Sequence, residues 1–297
     1  MSYIYVRDIG RGGQAVVRLF YDEANETHFA IKEFISPHSF QVEKEALEAQ
    51  YGCSNIVQLY LYNTPVDTMG IPSSILNPSR SLALVHYTNG DLERFMKKLE
   101  HTSLGENMAK TLLKQIITAC KNLHDRGYTH RDIKLDNIFL DDRYCPHIGD
   151  FGLATKDILI VGNVGTNGHM APEMFSGSHY DGPKVDVWAI GVLYFIMLTG
   201  FYPFGTKENF LHKNWFLQLK LNKTEAFWDY HQQHSPQPIS LGARDFLEKI
   251  FVLDPVRRIG IDEILEDNYL MADILPDDEA FMVMESLNRP PQVQDGA

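Results

Sequence analysis

The segment Ile9-Gly10-Arg11-Gly12-Gly13-Gln14-Ala15-Val16-Val17 sets three glycines between apolar and β-branched residues. Glycine lets backbone amides approach an anion and offers them where a side chain would obstruct. The same cluster also suits a plain hairpin turn. A dinucleotide-binding fingerprint wants a helix straight after the glycines. Strand-like residues follow here instead, which points to a loop lying over a triphosphate. Fifteen residues after Val17 stands Lys32, in Ala30-Ile31-Lys32. Strand alternation puts Ala30 and Lys32 on one face, so the small residue can floor a purine while the cation reaches its phosphates. An edge lysine turned to solvent is the competing reading.

The rest of the chain weighs on that choice. His130-Arg131-Asp132-Ile133-Lys134-Leu135-Asp136-Asn137 is followed by the strand-like Ile138-Phe139-Leu140, and Asp150-Phe151-Gly152 begins thirteen residues after Asn137. Gly165-Thr166 then precedes Ala171-Pro172-Glu173. Each tripeptide is common alone. In this order, each in its expected context, they make the chain resemble the eukaryotic protein kinase family from about Tyr3 to Asn268.

That resemblance implies an α+β, two-lobed fold: a small antiparallel sheet lobe with one key helix, and a larger, mainly helical lobe. It implies transfer of the ATP γ-phosphate to a Ser/Thr hydroxyl on a protein substrate, with ATP and Mg²⁺ as cofactors. Phosphoryl transfer passes through a loose transition state, so the protein's work is positioning and charge neutralisation. Asp150 and Asn137 match the family's metal-ligand positions, and Mg²⁺ takes such oxygens. Asp132 would orient the substrate hydroxyl and accept its proton, with Lys134 steadying the transferring group. The nucleotide would lie against Ile9, Gly10, Arg11, Gly12, Gly13, Gln14, Ala15 and Val17 from above. Ala30, Lys32 and Phe139 would line its cleft, with Asp91 at the rim. Val85, His86, Tyr87 and Thr88 fall where the hinge binds adenine through main chain, Val85 as a small gatekeeper.

Lys32 needs an anionic partner, and Glu43 and Glu45, two apart on a helix, face different directions. The resemblance favours Glu43, because Leu47 four residues on is the bulky residue this helix packs against Asp-Phe-Gly. Asp186 is expected to support the catalytic loop and Glu173 to pair with Arg258. Lys134 and Thr166 match the serine/threonine branch. Asp91 and Asp136 stand where related kinases grip substrate arginines, although Ile196 replaces a frequent glutamate, so a mild preference for N-terminal basic residues is expected. His169 replaces a common tyrosine, and Ala15 the loop's third glycine. From Lys156 to Gly165 there is no hydroxyl. Arg131, whose counterpart often pairs with an activation-loop phosphate, therefore lacks that partner, and packing of Ile158-Leu159-Ile160-Val161 is expected to order the loop instead. The competing class is a pseudokinase acting as a nucleotide-binding or scaffold module; Lys32, Asp132 and Asp150 are all present, which argues against it.

Residue patterning supplies the elements that must position these groups. Tyr3–Val6, Ala15–Tyr21 and Thr27–Phe34 read as strands, as do Asn55–Tyr60 and Ser81–His86 around a loop from Asn63 to Arg80. Ser39–Gln50 has helical spacing, and helices are expected over Leu92–Leu99, Met108–Leu123, Val185–Leu198, Ala243–Leu253 and Ile261–Asn268. The domains expected are a nucleotide-binding sheet lobe over 1–88, a catalytic helical lobe over 89–272 and an acidic tail over 273–297. That tail holds six acids and one base, stops regular structure at Pro290-Pro291, and reads as mobile or loosely docked, with Phe281–Met284 able to pack back.

The 297 residues are 44% hydrophobic and 22% charged, with a formal net charge of -12. A core of that size needs no disulfide or metal, and the negative field disfavours nucleic acid and anionic lipid as partners. The three cysteines match no metal-ligand spacing and are expected to be reduced. The N-terminus carries no signal-peptide or myristoylation pattern, and Val187–Leu198 is too short an apolar run to span a bilayer. The expectation is a cytoplasmic monomer, nuclear access left open, with protein substrate and ATP as partners.

Overall fold

Three strands rise from the aromatic and β-branched residues of the first 34 positions: β1 (Tyr3–Arg11), β2 (Ala15–Asp22) and β3 (Thr27–Phe34). With β4 (Ser81–Val85) they form an antiparallel sheet in the order β1-β2-β3-β4. The computed structural model describes residues 2–61, 64–99, 102–157, 159–204 and 224–289; Asn63, Ile158 and Pro290-Pro291 lie outside them.

Register decides what each face of the sheet does. Ala30 is paired with Leu84 and Lys32 with Leu82, and directly paired residues share a face. All but the lysine belong to the main core, shared with the helical lobe. Phe29, Ile31 and Ala83 point the other way and join Phe20, Val66 and Met69 in a second, smaller core. Between β3 and β4, α1 (Pro37–Ala49) starts at Ser36, whose hydroxyl accepts from the Ser39 amide, with proline in the first turn. Its buried side is Glu43, Ala46 and Leu47.

Residues 55–60 do not form the expected strand. Asn55 turns into the left-handed region at φ 59°, and the Gln58 amide binds the Cys53 and Ile56 carbonyls at 3.1 and 2.9 Å. Only isolated bridges remain, Ile56 to Ile148 and Leu59 to Leu84. The segment thus ties the sheet to the helical lobe.

In that lobe the described residues form α2 (Leu92–Met96), α3 (Glu106–Asp125), α4 (Gly182–Thr199), α5 (Thr224–His234), α6 (Leu241–Ile250), α7 (Ile261–Leu265), α8 (Asn268–Met271) and α9 (Asp277–Asn288). Short hairpin strands β5 (Ile138–Leu140) and β6 (Pro146–Ile148) join the catalytic motifs, His130–Asn137 before β5 and Asp150-Phe151-Gly152 after β6. Beyond Asp186, helix α4 is apolar on all sides. By length and composition it could cross a membrane, but 89% of it is buried inside the protein, so it is a core helix. It packs close to α6 at Gly191, where a Cβ would lie 2.5 Å from Ile250.

Of the acidic tail, residues 277–288 are docked, the packing-back that Phe281–Met284 allowed. Ala280 and Met284 on α9 are buried, Phe281 meets Tyr144 at 6.0 Å, and Asp278 pairs with Arg143 at 2.8 Å. Pro276 followed by three acids is a helix start, and apolar residues four apart at 280 and 284 supply the buried stripe.

Candidate active site between the lobes

Lys32 extends from β3 into the cleft, where its ammonium lies 2.7 and 2.9 Å from the two Glu43 oxygens and 2.8 Å from Asp150 Oδ1. Glu43 is 1% exposed. Glu45 sits on the outer face of α1 and accepts from Gln41 at 2.7 Å. Helical phase therefore separates the two glutamates as their spacing requires. Asp150 turns toward the cleft through a left-handed backbone, φ 61°, with its side chain 41% exposed.

One ammonium thus faces two carboxylates in different solvent. Burial pushes Glu43 up to about 7 against the pull of Lys32. Burial also opposes ionisation of Asp150, but Lys32 outweighs it and holds that carboxyl below its usual range. For Lys32, burial disfavours charge and the two carboxylates more than offset it, so it is raised. Between about pH 4.5 and 7 the folded chain keeps a proton on Glu43 that the unfolded chain has lost. Stability contributed at this site therefore falls as pH rises through that window. Denaturation midpoints of wild type and Glu43→Gln should draw apart across it, with wild type losing more; a pH-independent difference would remove Glu43 as the titrating group.

The catalytic loop is held from below. Asp186 on α4 accepts the His130 and Arg131 amides, each at 2.8 Å, and lies 2.9 Å from His124 Nε2. The His130 ring contacts the Gly149 carbonyl at 3.0 Å and Phe151 edge-on at 5.0 Å. Asp132 Oδ2 is 3.0 Å from Lys134 Nζ and accepts from the Asn137 amide at 3.2 Å. Asn137 also donates to the Asp132 carbonyl at 2.8 Å. Its amide nitrogen is committed to the loop, which leaves its oxygen as the group able to face a cation. Asp132 Oδ1 has no hydrogen-bond partner, so one acceptor remains for an incoming hydroxyl. Lys134 is steadied by Thr166 Oγ1 at 2.7 Å. A carboxylate at 150 and an amide oxygen at 137 are hard donors, and they suit Mg²⁺.

The glycine segment is both a turn and a roof. Gly12 N donates to Ala15 O at 3.0 Å and closes the hairpin. Gln14 at its tip reaches over Asp-Phe-Gly, its Oε1 3.4 Å from where a Cβ on Gly152 would stand. A Cβ at Gly12 or Gly13 would meet nothing within 4 Å. Behind this roof Ile9, Val17 and Phe139 pack half-buried against the core, beside buried Ala15 and Ala30. Gly10 lies against Val17, and Arg11 ends β1 at the rim, 3.6 Å from Asp8.

The hinge needs one correction. Val85 is paired with Phe29, on the sheet face turned from the cleft, and is 37% exposed. Leu84, paired with Ala30, is the neighbour that shares the cleft face. The off-by-one arises because a motif offset says nothing about which way a strand residue points. Tyr87 is buried against Phe139 and His147 and its hydroxyl accepts from the Gln58 amide at 3.3 Å. His86 is half-buried, which lowers its affinity for a proton, and Thr88 is exposed.

Asp91 caps α2 by accepting from Arg94 N at 2.7 Å. Burial, then hydrogen bonding to Glu93, pushes Asp136 up to about 6. Glu93, missed by motif reading, is held by Lys97 at 2.8 Å; its place two residues into the cap of α2 was the available signal. Ile196 and His169 are both buried. Arg258 pairs with Glu173 at 2.6 and 2.9 Å.

The model of the family described as "Protein kinase domain" matches residues 3–270. Serine/threonine-protein kinase SRK2E of Arabidopsis thaliana is 29% identical over 302 residues, covering 98% of this chain and 78% of the relative. SRK2A of Physcomitrium patens is also 29% identical, with 98% and 81% covered. CBL-interacting protein kinase 9 of Oryza sativa subsp. japonica is 28% identical over 283 residues, and the chain spans only 57% of its length. A family match over nine-tenths of the chain, on a cleft where both lobes deliver charge to one point, leaves a single assignment: the chain belongs to the protein kinase family, as an ATP-dependent enzyme of its serine/threonine branch.

Proposed function

We propose that this kinase transfers the γ-phosphate of ATP, with Mg²⁺, to Ser/Thr hydroxyls on proteins carrying basic residues N-terminal to the acceptor. The observation that carries the reading is the contact of Lys32 with Glu43 and Asp150 at 2.7 and 2.8 Å. It supports a sheet lobe and a helical lobe already set in the relation that transfer requires.

In this reading Glu43 orients Lys32 toward the ATP phosphates. Leu84, Ala30, Val17 and Phe139 surround the adenine, which the main chain of residues 85–88 recognises. Asp132 accepts the hydroxyl proton as the new P–O bond forms and the bond from the γ-phosphorus to the bridging oxygen breaks, ADP leaving with that electron pair. Lys134, fixed by Thr166, offsets charge on the transferring group. Asp150 and Asn137 would hold Mg²⁺, which when bound neutralises the phosphate oxygens. Asp91, Glu93 and Asp136 give the rim of the peptide path a negative charge suited to arginine or lysine.

Incubating the chain with labelled ATP, Mg²⁺ and a degenerate peptide array tests both parts. Incorporation is expected into Ser/Thr peptides with N-terminal basic residues, and Asp150→Ala should abolish it. Nucleotide binding without transfer would overturn the enzymatic reading; acidic or proline-directed selection would overturn the substrate class.

A further inference from the structure

The activation segment reaches Arg131 at two places without a phosphate. The Arg131 Nε–H donates to the Leu153 carbonyl at 2.7 Å. Farther along, Gly165 at φ 116° crosses so close that a Cβ would lie 2.5 Å from the Arg131 carbonyl oxygen. Tyr180, which follows Ala171-Pro172-Glu173 in the chain, also holds the segment: its hydroxyl donates to the Gly162 carbonyl at 2.8 Å.

Backbone pairing holds the tyrosine in place. β7 (Leu159–Ile160) and β8 (Tyr180–Asp181) form an antiparallel ladder in which Ile160 is opposite Tyr180. Tyr180 is 3% exposed and Ile160 is buried, whereas Val161 is exposed. Of the apolar run expected to order the loop, Ile160 is thus the side chain seen packing inward. The two hydroxyls nearest the segment are engaged elsewhere: Thr155 donates to Asp157 at 3.2 Å, and Thr166 accepts from Lys134 at 2.7 Å.

We propose that the Tyr180 hydroxyl is the built-in anchor of the activation segment, its bond to the Gly162 carbonyl ordering that segment without phosphorylation. The proposal rests on the kinase reading and names its regulation. Tyr180 is a positioning residue: it touches neither nucleotide nor acceptor and acts through Gly162 and the strand pair. A phosphate ordering such a segment adds charge-assisted bonds to an arginine. Here a neutral hydroxyl and a carbonyl take that place, weaker per contact but permanent.

The test compares phosphatase-treated wild type with Tyr180→Phe, which removes one oxygen from a buried ring. Treated wild type should keep its kcat/KM for peptide. Tyr180→Phe should lose about five- to tenfold in it, the worth of one hydrogen bond, with ATP affinity unchanged. Amide hydrogen exchange over residues 159–166 should rise in the variant, a readout that holds even if the chain transfers no phosphate. Unchanged exchange in Tyr180→Phe would overturn the proposal. So would a large loss on phosphatase treatment that is restored by phosphorylating Thr155 or Thr166.

Discussion

Asp132→Asn is expected to lower kcat for peptide phosphorylation by about 10²- to 10⁴-fold, the usual worth of a positioned general base. The substitution is close to isosteric. An amide oxygen can still accept from Lys134 and Asn137, which now lie 3.0 and 3.2 Å from Asp132 Oδ2. What disappears is the ability of the unpartnered Oδ1 to take a proton from the acceptor hydroxyl. Nucleotide affinity should hold, because Lys32 and Asp150 contact Asp132 through no hydrogen bond. Single-turnover phosphorylation alongside a nucleotide-binding titration separates the two. A variant within threefold of wild-type kcat would remove Asp132 from the proton transfer.

The second large effect is on stability. Arg258→Met should destabilise the protein by about 3–5 kcal/mol, the cost of stranding one member of a buried ion pair. The Arg258 side chain is 0% exposed. Its guanidinium donates to both Glu173 oxygens, to the Val252 carbonyl at 3.0 and 3.1 Å and to the Lys184 carbonyl at 2.7 Å, and lies 4.9 Å from the Trp188 ring. Methionine fills part of the volume and satisfies none of these acceptors, so Glu173 would be left as a nearly buried charge. Adding Glu173→Leu should recover part of the loss, because the stranded carboxylate goes with it. Urea denaturation of wild type, the two single variants and the double variant measures the coupling. Additive losses would show that the pair is not acting as a unit.

Much of the site was legible because its chemistry is carried by short local strings. Asp132, Lys134 and Asn137 lie within six residues, and Asp150 opens its own tripeptide. Glu43 was legible at one remove, since only helical phase distinguishes it from Glu45. What the string hides is direction and distance. Val85 and Leu84 are neighbours in sequence, yet pairing with Phe29 and Ala30 sends them to opposite faces. Glu93 looks like an ordinary first-turn acid until the fold brings Asp136 beside it. Tyr180 stands 18 residues beyond Gly162, and nothing local announces their hydrogen bond. The tail was legible only as two alternatives: its acidity suggested solvation, while the apolar Phe281–Met284 stretch allowed the packing that Met284 shows.

Helix α4 holds Asp186, under the catalytic loop, and also the Lys184 carbonyl and Trp188 ring that receive Arg258. The lower lobe's reactive geometry and its hydrophobic mass are therefore riveted to the same rod. Heat inactivation and melting of this half of the molecule are therefore expected to coincide, which activity and tryptophan fluorescence followed over one thermal ramp would check.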